Sequence, residues 1–388
     1  CIRDRGQSAP RAPTDPRFTE PAKSSKGEAA VNTAAAGKAP IPPMAPEPQR
    51  KIKRWHIQTK ADAAQFLAKK ARNAFKQSGR RPILLIGGQD AYTDAILNDL
   101  ASHGMQPRVV SLADLATSGV TTPEAYACIV CTYTDIQRTH AAARHVLRDP
   151  VLGRLTFEYV TFPRDSYATL ERHQTTTCTD LVSPLPNDPL DVFQIYEDAL
   201  AHFEKKCDIR DFMDLCQLVR NTVDNDVAGD FAEFGSYRGH SGYLLASLLQ
   251  KLDFDRTLYL FDTFNAFPEE ALGIDQFWSR SHPVDFTAVK ANFKAFPFVR
   301  FVQGDFTQTF EQTGIRQLAL AYVDCDAYRS TDYLIRRLYP QVLAPGGVMI
   351  FEDYGHAQLL GNRVAVDDYF TNRRGCVKFF SQFSGSFI

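Results

Sequence analysis

The chain has no apolar run approaching the roughly 20 residues that span a bilayer, so no membrane helix is expected. An excess of one charge sign is missing too. With 44 Lys and Arg against 45 Asp and Glu the formal net charge is -1, which gives no electrostatic case for nucleic acid or an acidic membrane as partner. The 8 cysteines show neither disulfide-like nor zinc-like spacing. Cys128 and Cys131 form a CxxC, but within the strand-like run 127–131, where residues three apart point to opposite faces. Reduced core thiols in a cytoplasmic protein account for them more simply than redox or metal chemistry. No signal peptide is visible. The chain starts at Cys1 without an initiator methionine, as a fragment or processed product does; a lipid-modified cysteine fits that start less well. Gly-x-Gly-x-x-Gly is absent, and Gly87-Gly88-Gln89-Asp90 lacks the lysine of a P-loop, so it reads as a structural turn.

What is present is an ordinary globular balance, 44% apolar and 23% charged, over 388 residues, enough for two domains. Residues 1–55 are rich in Pro, Ala, Ser, Lys and Gly without apolar periodicity, which predicts a disordered tail. The basic cluster Arg50–Arg54 that closes it reads as a solvated linker. Residues 56–168 read as a small α/β domain with a parallel sheet. Its helices are expected over Lys60–Gln77 and 91–102, and its strands near 82–88, 108–112 and 127–132. Residues 169–190, with three threonines in a row and three prolines, read as a linker. From 191 the chain is mostly helical to about 225. Strands then alternate with helices: 231–234, 257–261, 299–303, 319–323, 347–351 and 377–380, against helices near 241–251, 286–296, 329–342 and 361–373. That alternation predicts a doubly wound open sheet with helices on both faces and ligands beyond the carboxyl ends of its strands.

The polar motifs fall at those ends. The run Asp230 to Ser241 is a buried strand that passes Glu233, turns through Gly235 and Gly239, and enters a helix at Ser241. Such a turn exposes backbone amides at a helix N-terminus, where a small charged cofactor is held; packing alone is the alternative. Asp262 ends the next strand where a ribose-binding carboxylate is expected. Asp305, after Gly304, is placed either to accept from an adenine amino group or to form a turn. Asp324 and Asp326 follow one strand and Glu352 and Asp353 follow the next. Four carboxylates there repel unless a cation or protonation compensates. Oxygen ligands without nearby His or Cys suit Mg²⁺ or another hard divalent ion. Helix capping, with pairing to Arg329, Arg336 or Arg363, is the competing account.

The segments Gly229–Gly235, Leu260–Phe264, Asp324–Thr331, Leu343–Gly347, Glu352–Gly355 and Ala365–Phe370 occur in the order found in TylF (macrocin-type) O-methyltransferases. From about residue 190 onward the chain resembles that family. The resemblance implies a Rossmann-like class I methyltransferase sheet, S-adenosyl-L-methionine as cofactor, a divalent metal held by an aspartate cluster, and a lid over 191–225. It places Glu233, Gly235, Ser236, Gly239 and Ser241 in the cofactor pocket with Asp262 and Asp305, the metal on Asp324, Glu352 and Asp353, and the general base at Asp324 or Asp326. Cys325 stands where the family has glycine and Glu352 where it has aspartate. The expected activity is metal-assisted methylation of a hydroxyl on a sugar, glycosylated natural product or related polyol. A glycosyltransferase using Asp324–Asp326 as a DxD, or a non-catalytic scaffold, are the alternatives. The acceptor, a homo-oligomeric state and the role of 56–168 stay open.

Overall fold

The computed structural model describes residues 57, 59–118, 126–162, 190–268 and 273–388, with backbone alone at 116–118. The expected tail (1–55) and nearly all of the expected linker (169–190) lie outside them. Two parallel sheets are formed. The first comprises β1 (Leu84–Ile86), β2 (Arg108–Val110), β3 (Ile129–Cys131) and β4 (Phe157–Glu158) in the order β2-β1-β3-β4. Helix α1 (Lys60–Gln77) starts where the Thr59 hydroxyl accepts from Asp62 N, and it buries Ala63, Ala64, Leu67, Ala68 and Ala71 along one face. Helices α2 (Ala91–Ser102), α3 (Leu112–Ser118) and α4 (Ile136–Arg148) follow β1, β2 and β3. Strand β4, two residues long, carries too little pattern to be seen in the sequence. Cys128 packs in the cluster beneath α1 and α2, while Cys131 packs in the cluster on the other face, as the strand period requires. Burial pushes both thiols up to about 12, so neither is a reactive thiolate.

The second sheet comprises β5 (Asp230–Phe234), β6 (Leu258–Asp262), β7 (Val299–Gln303), β8 (Leu318–Val323) and β9 (Leu343–Phe351), all parallel, in the order β7-β6-β5-β8-β9. Phe231, Leu258, Leu260, Tyr322 and Ile350 face α5 (Val192–Leu200), α6 (Ile209–Asp224) and α7 (His240–Lys251). Ala232, Phe234, Phe261, Val323 and Met349 face α10 (Tyr328–Leu338) and α11 (Leu360–Phe370). Two shorter helices, α8 (Phe286–Asn292) and α9 (Phe306–Thr309), precede and follow β7. This is the doubly wound, Rossmann-like arrangement expected. Its central strand β5 has β6 on one side and β8 on the other, and crossovers depart in opposite directions from that point, which opens a crevice at the carboxyl ends.

The expected strand at 377–380 is not formed. Phe380 makes only an isolated antiparallel bridge to Phe387, which also bridges Phe351. Val377 is 93% and Phe379 57% exposed, so this run buries little, and its pairing is confined to Phe379 with Ile388 and Phe380 with Phe387. The helices expected to reach 296 and 342 stop at Asn292 and Leu338. The two sheets are joined: Leu84, Ile86, Ile129, Phe157 and Tyr159 share one apolar cluster with Ile274, Leu360 and Val364. No helix among the described residues is long and apolar enough to cross a membrane.

Phe234 is fully buried, stacked on Phe261 at 4.7 Å and edge-on to Phe306. Phe234→Ala is therefore expected to cost about 3–5 kcal/mol in urea denaturation, with Val377→Ala within about 0.5 kcal/mol of the unaltered chain.

Candidate functional site

The turn after β5 is shaped by one close approach. Gly235 has φ +103°, and a Cβ there would lie 1.8 Å from the carbonyl oxygen of Asp324. Only glycine fits between the ends of β5 and β8. Gly235 N and Ser236 N both donate to Phe261 O, and Asp324 N donates to Phe234 O at 3.0 Å. Gly239, at φ +87°, begins α7 without a side-chain cap. Asp262 Oδ2 accepts from Tyr237 N at 2.8 Å and Oδ1 from Phe264 N at 2.7 Å. Burial raises its pKa, and those amides temper the rise. Asp305 Oδ1 caps α9, accepting from Thr307 N at 2.9 Å and from its hydroxyl at 2.7 Å.

These residues border a cleft of about 740 Å³. Gly235, Ser236, Ser241, Asp262 and Asp305 line it; Glu233 and Gly239 do not. Glu233 lies behind the wall, fully buried against α7, where a Cβ on Gly242 would come within 2.7 Å of Oε2. Burial lifts its pKa to about 7. The hydroxyls of Ser236 and Ser241 temper the shift, yet neither carboxylate oxygen has a partner at hydrogen-bonding geometry.

On the far side of the turn, Asp324, Glu352 and Asp353 each bring one carboxylate oxygen within 4.8 Å of the others. Among the described residues none of the three forms an ion pair with Lys or Arg. Arg336 pairs with Asp332 instead, and Arg363 with Asp367. Burial, then mutual repulsion, pushes Asp324 and Glu352 well up; burial raises Asp353 as well. Asp353 Oδ2 accepts from Asp326 N at 2.8 Å and from Asn362 Nδ2 at 3.2 Å. That bond holds Asp326 in the left-handed region at φ +58°, a conformation aspartate tolerates. Asp324, Asp326, Glu352 and Asp353 all border the cleft. Cys325 also borders the cleft, but its Sγ lies 3.4 Å from Thr331 Oγ1 in the apolar layer under α10, and it is not part of the three-carboxylate cluster.

Residues 209–378 match the family model of macrocin-O-methyltransferase (TylF). A demethyldecarbamoylnovobiocin O-methyltransferase of Streptomyces niveus is 32% identical over 151 residues, 36% of this chain and 57% of that protein. An 8-demethyl-8-(2,3-dimethoxy-alpha-L-rhamnosyl)-tetracenomycin-C 4'-O-methyltransferase of Streptomyces olivaceus is 31% identical over 171 residues, 39% of this chain and 61% of that protein. The chain thus spans less than two thirds of the length of these curated relatives. The solved O-methyltransferase NovP aligns at 24% identity and TM-score 0.40, covering 53% of this chain and 91% of that one.

The TylF-matching segment opens on α6, whose Asp211 the sequence reading missed. It is buried, Oδ1 has no partner among the described residues, and burial with the nearby Asp208 raises it to about 7. Its charge adds to the field at Asp324 and Glu352. Just ahead of the segment, Lys206 N and Cys207 N donate to His240 Nδ1 at 3.1 and 3.0 Å, tying the loop before α6 to the head of α7. Burial pushes His240 down to about 4, so the ring is a neutral acceptor. Asp275 caps α10 from a distance, accepting from Tyr328 N at 2.7 Å and Arg329 N at 3.0 Å; burial lifts it to about 6. Trp278, His282 and His356 also line the cleft. His240 and Asp275 bond amides tens of residues away, a relation that no spacing in the sequence encodes.

Glu233 gives a pH signature. Its folded pKa of about 7 lies above its ordinary 4.5, so its favourable contribution is complete below pH 4.5 and lost as pH rises through 7. Glu233→Gln is expected to leave stability unchanged at pH 4 and raise it at pH 8 by up to about 3 kcal/mol, read by urea denaturation of the ligand-free protein.

Proposed function

We propose that the chain is an S-adenosyl-L-methionine-dependent, divalent-cation-assisted O-methyltransferase. Its acceptor is a hydroxyl on a sugar, glycosylated natural product or related polyol. The observation that carries this reading is the convergence of Asp324, Glu352 and Asp353 within 4.8 Å beside the Gly235 turn, in one cleft. The TylF match over 209–378 supports it, as do relatives named as O-methyltransferases of novobiocin- and rhamnose-bearing compounds.

The residues fit the groups the reading requires. Three oxygen donors without a soft ligand, buried and mutually repelling, suit a hard divalent cation such as Mg²⁺. Glu352 in place of aspartate still reaches the cluster, and Cys325 in place of glycine leaves it clear. Asp262 and Asp305 keep acceptor capacity beyond the amides they bind, since an ionised carboxylate offers about four lone-pair sites. Ribose hydroxyls are assigned to Asp262 and the adenine amino group to Asp305. Gly235, Ser236 and Ser241 form the cradle, and Glu233 and Gly239 act from behind it by holding the strand end and the helix start. When bound, the cofactor supplies the methyl group and the cation supplies positive charge that favours the deprotonated acceptor oxygen.

Asp326 takes the acceptor's proton, with Asp324 as the neighbouring alternative. Because Asp353 accepts from Asp326 N, the acid that borders the cation site also fixes the base, so both are aligned by one contact. The loop before α6, tethered to the head of α7 through His240, brings Lys206 to the rim of the cleft.

Calorimetry with S-adenosyl-L-methionine in the absence of metal should show binding, weakened at least about tenfold by Asp262→Ala. Asp326→Asn should lower turnover roughly 10²–10⁴-fold at nearly constant affinity for S-adenosylhomocysteine. Full methyl transfer by Asp324→Ala would sink the cation-assisted mechanism.

A further inference from the structure

The first sheet lies outside the TylF match, and its contacts gather on one side of the cleft. After β4 the chain runs through Tyr159, Val160 and Thr161, all buried, beside the segment 356–361, which leads from Glu352-Asp353 into the start of α11. Tyr159 Oη donates to Gln358 O at 2.5 Å and accepts from Leu360 N at 3.4 Å. Thr161 Oγ1 donates to Ala357 O at 2.9 Å, and Gln358 Nε2 donates back to Thr161 O at 3.0 Å. A second segment, 273–278, is held by the same domain. Thr156 bonds Gln276, and Gly273 (φ +64°) sits so close that a Cβ would lie 2.2 Å from Gly153 O.

Those two segments carry Asp275, Trp278, His356 and Leu359, four residues of the cleft wall. The cofactor side, by contrast, is built on the ends of β5, β6 and β7. The link continues inward. Asn362, fully buried in the first turn of α11, donates to Asp353 Oδ2 and to Thr331 Oγ1. On the outer face of α11, Arg144 and Arg148 from α4 pair with Asp368, and His140 lies 3.1 Å from Asp367. Tyr159 and Asp326 also border one small cavity of about 10 Å³, close to the size that holds a single water.

We propose that the N-terminal α/β domain is a fixed part of the acceptor half of the cleft, with Tyr159 and Thr161 as positioning residues that act through the segment 356–361. This rests on the reading of the cleft as a cofactor-and-acceptor site. It assigns the domain to shaping the acceptor wall and the acid cluster rather than to a separate ligand of its own.

The test uses the full chain with Tyr159→Phe combined with Thr161→Val, which removes both hydroxyls and keeps the apolar shape. Amide hydrogen exchange at 356–361 should rise at least about tenfold, while 257–268 and 299–305 stay unchanged. Mn²⁺ affinity, read by electron paramagnetic resonance, should fall several-fold, and S-adenosylhomocysteine affinity should stay within about twofold. Leu100→Ala, which opens the core on the opposite face of the small sheet, serves as the structural control and should move none of these. Unchanged exchange at 356–361 in the double variant, or an equal change in Leu100→Ala, would overturn the proposal. If the unaltered protein bound neither S-adenosylhomocysteine nor Mn²⁺, the methyltransferase reading and with it the acceptor assignment would fall, while the exchange rates would still decide whether Tyr159 and Thr161 hold 356–361.

Discussion

The contact between Gly235 and the carbonyl of Asp324 governs the site. Strands β5 and β8 are register partners, Phe234 beside Val323, so their next residues emerge side by side. A side chain at 235 would collide with the backbone of 324, and the turn would have to open. Because it does not, the cradle at the head of α7 and the acids after β8 share one crevice. The rest of the arrangement follows from where the neighbouring strands end. Asp262 at the end of β6 fastens the turn through Tyr237, and Asp353 after β9 fastens Asp326.

That crevice is electrostatically costly. Glu233, Asp211, Asp324, Glu352 and Asp353 are buried or half-buried carboxylates whose pKa values all move up, and no Lys or Arg pairs with the last three among the described residues. Buried charges that are not paired locally reduce the stability of a fold, so their gathering around the ends of β5, β8 and β9 and the start of α6 marks a place where packing has yielded. Burial of Phe234, Phe261 and the layers on both faces of the sheet offsets the cost. His240 and Asp275 are of a different kind. Each has a shifted pKa, yet each is committed to two backbone amides, so they organise the cleft rather than react in it.

The small α/β domain changes how the large one should be pictured. The side proposed for the cofactor is carried by the ends of β5, β6 and β7, whereas the opposite wall includes segments gripped by Tyr159, Thr161, Thr156 and Gly153. On the proposed reading, an acceptor would meet a wall braced from outside the TylF-matching segment, so the small domain shapes that wall without holding a ligand of its own.

Much of this was legible in the amino-acid order. Short, nearly continuous apolar runs ending in Asp262, Asp324 or Glu352, and the glycine turn between strand and helix, specify the doubly wound sheet and put the acids at the carboxyl ends, because strand length and apolar composition are local properties. The helix over Lys60–Gln77 and the opposite-facing Cys128 and Cys131 were legible for the same reason. Residues 377–380 misled because an apolar run forms a strand only when pairing extends along it and one face is buried, and neither is encoded locally. Which acids meet, that Glu233 sits behind the wall rather than in it, that Asp275 caps a helix more than fifty residues away, and that Tyr159 reaches Gln358 were decided by tertiary structure alone. Those relations are distances between segments remote in sequence, and only packing sets them.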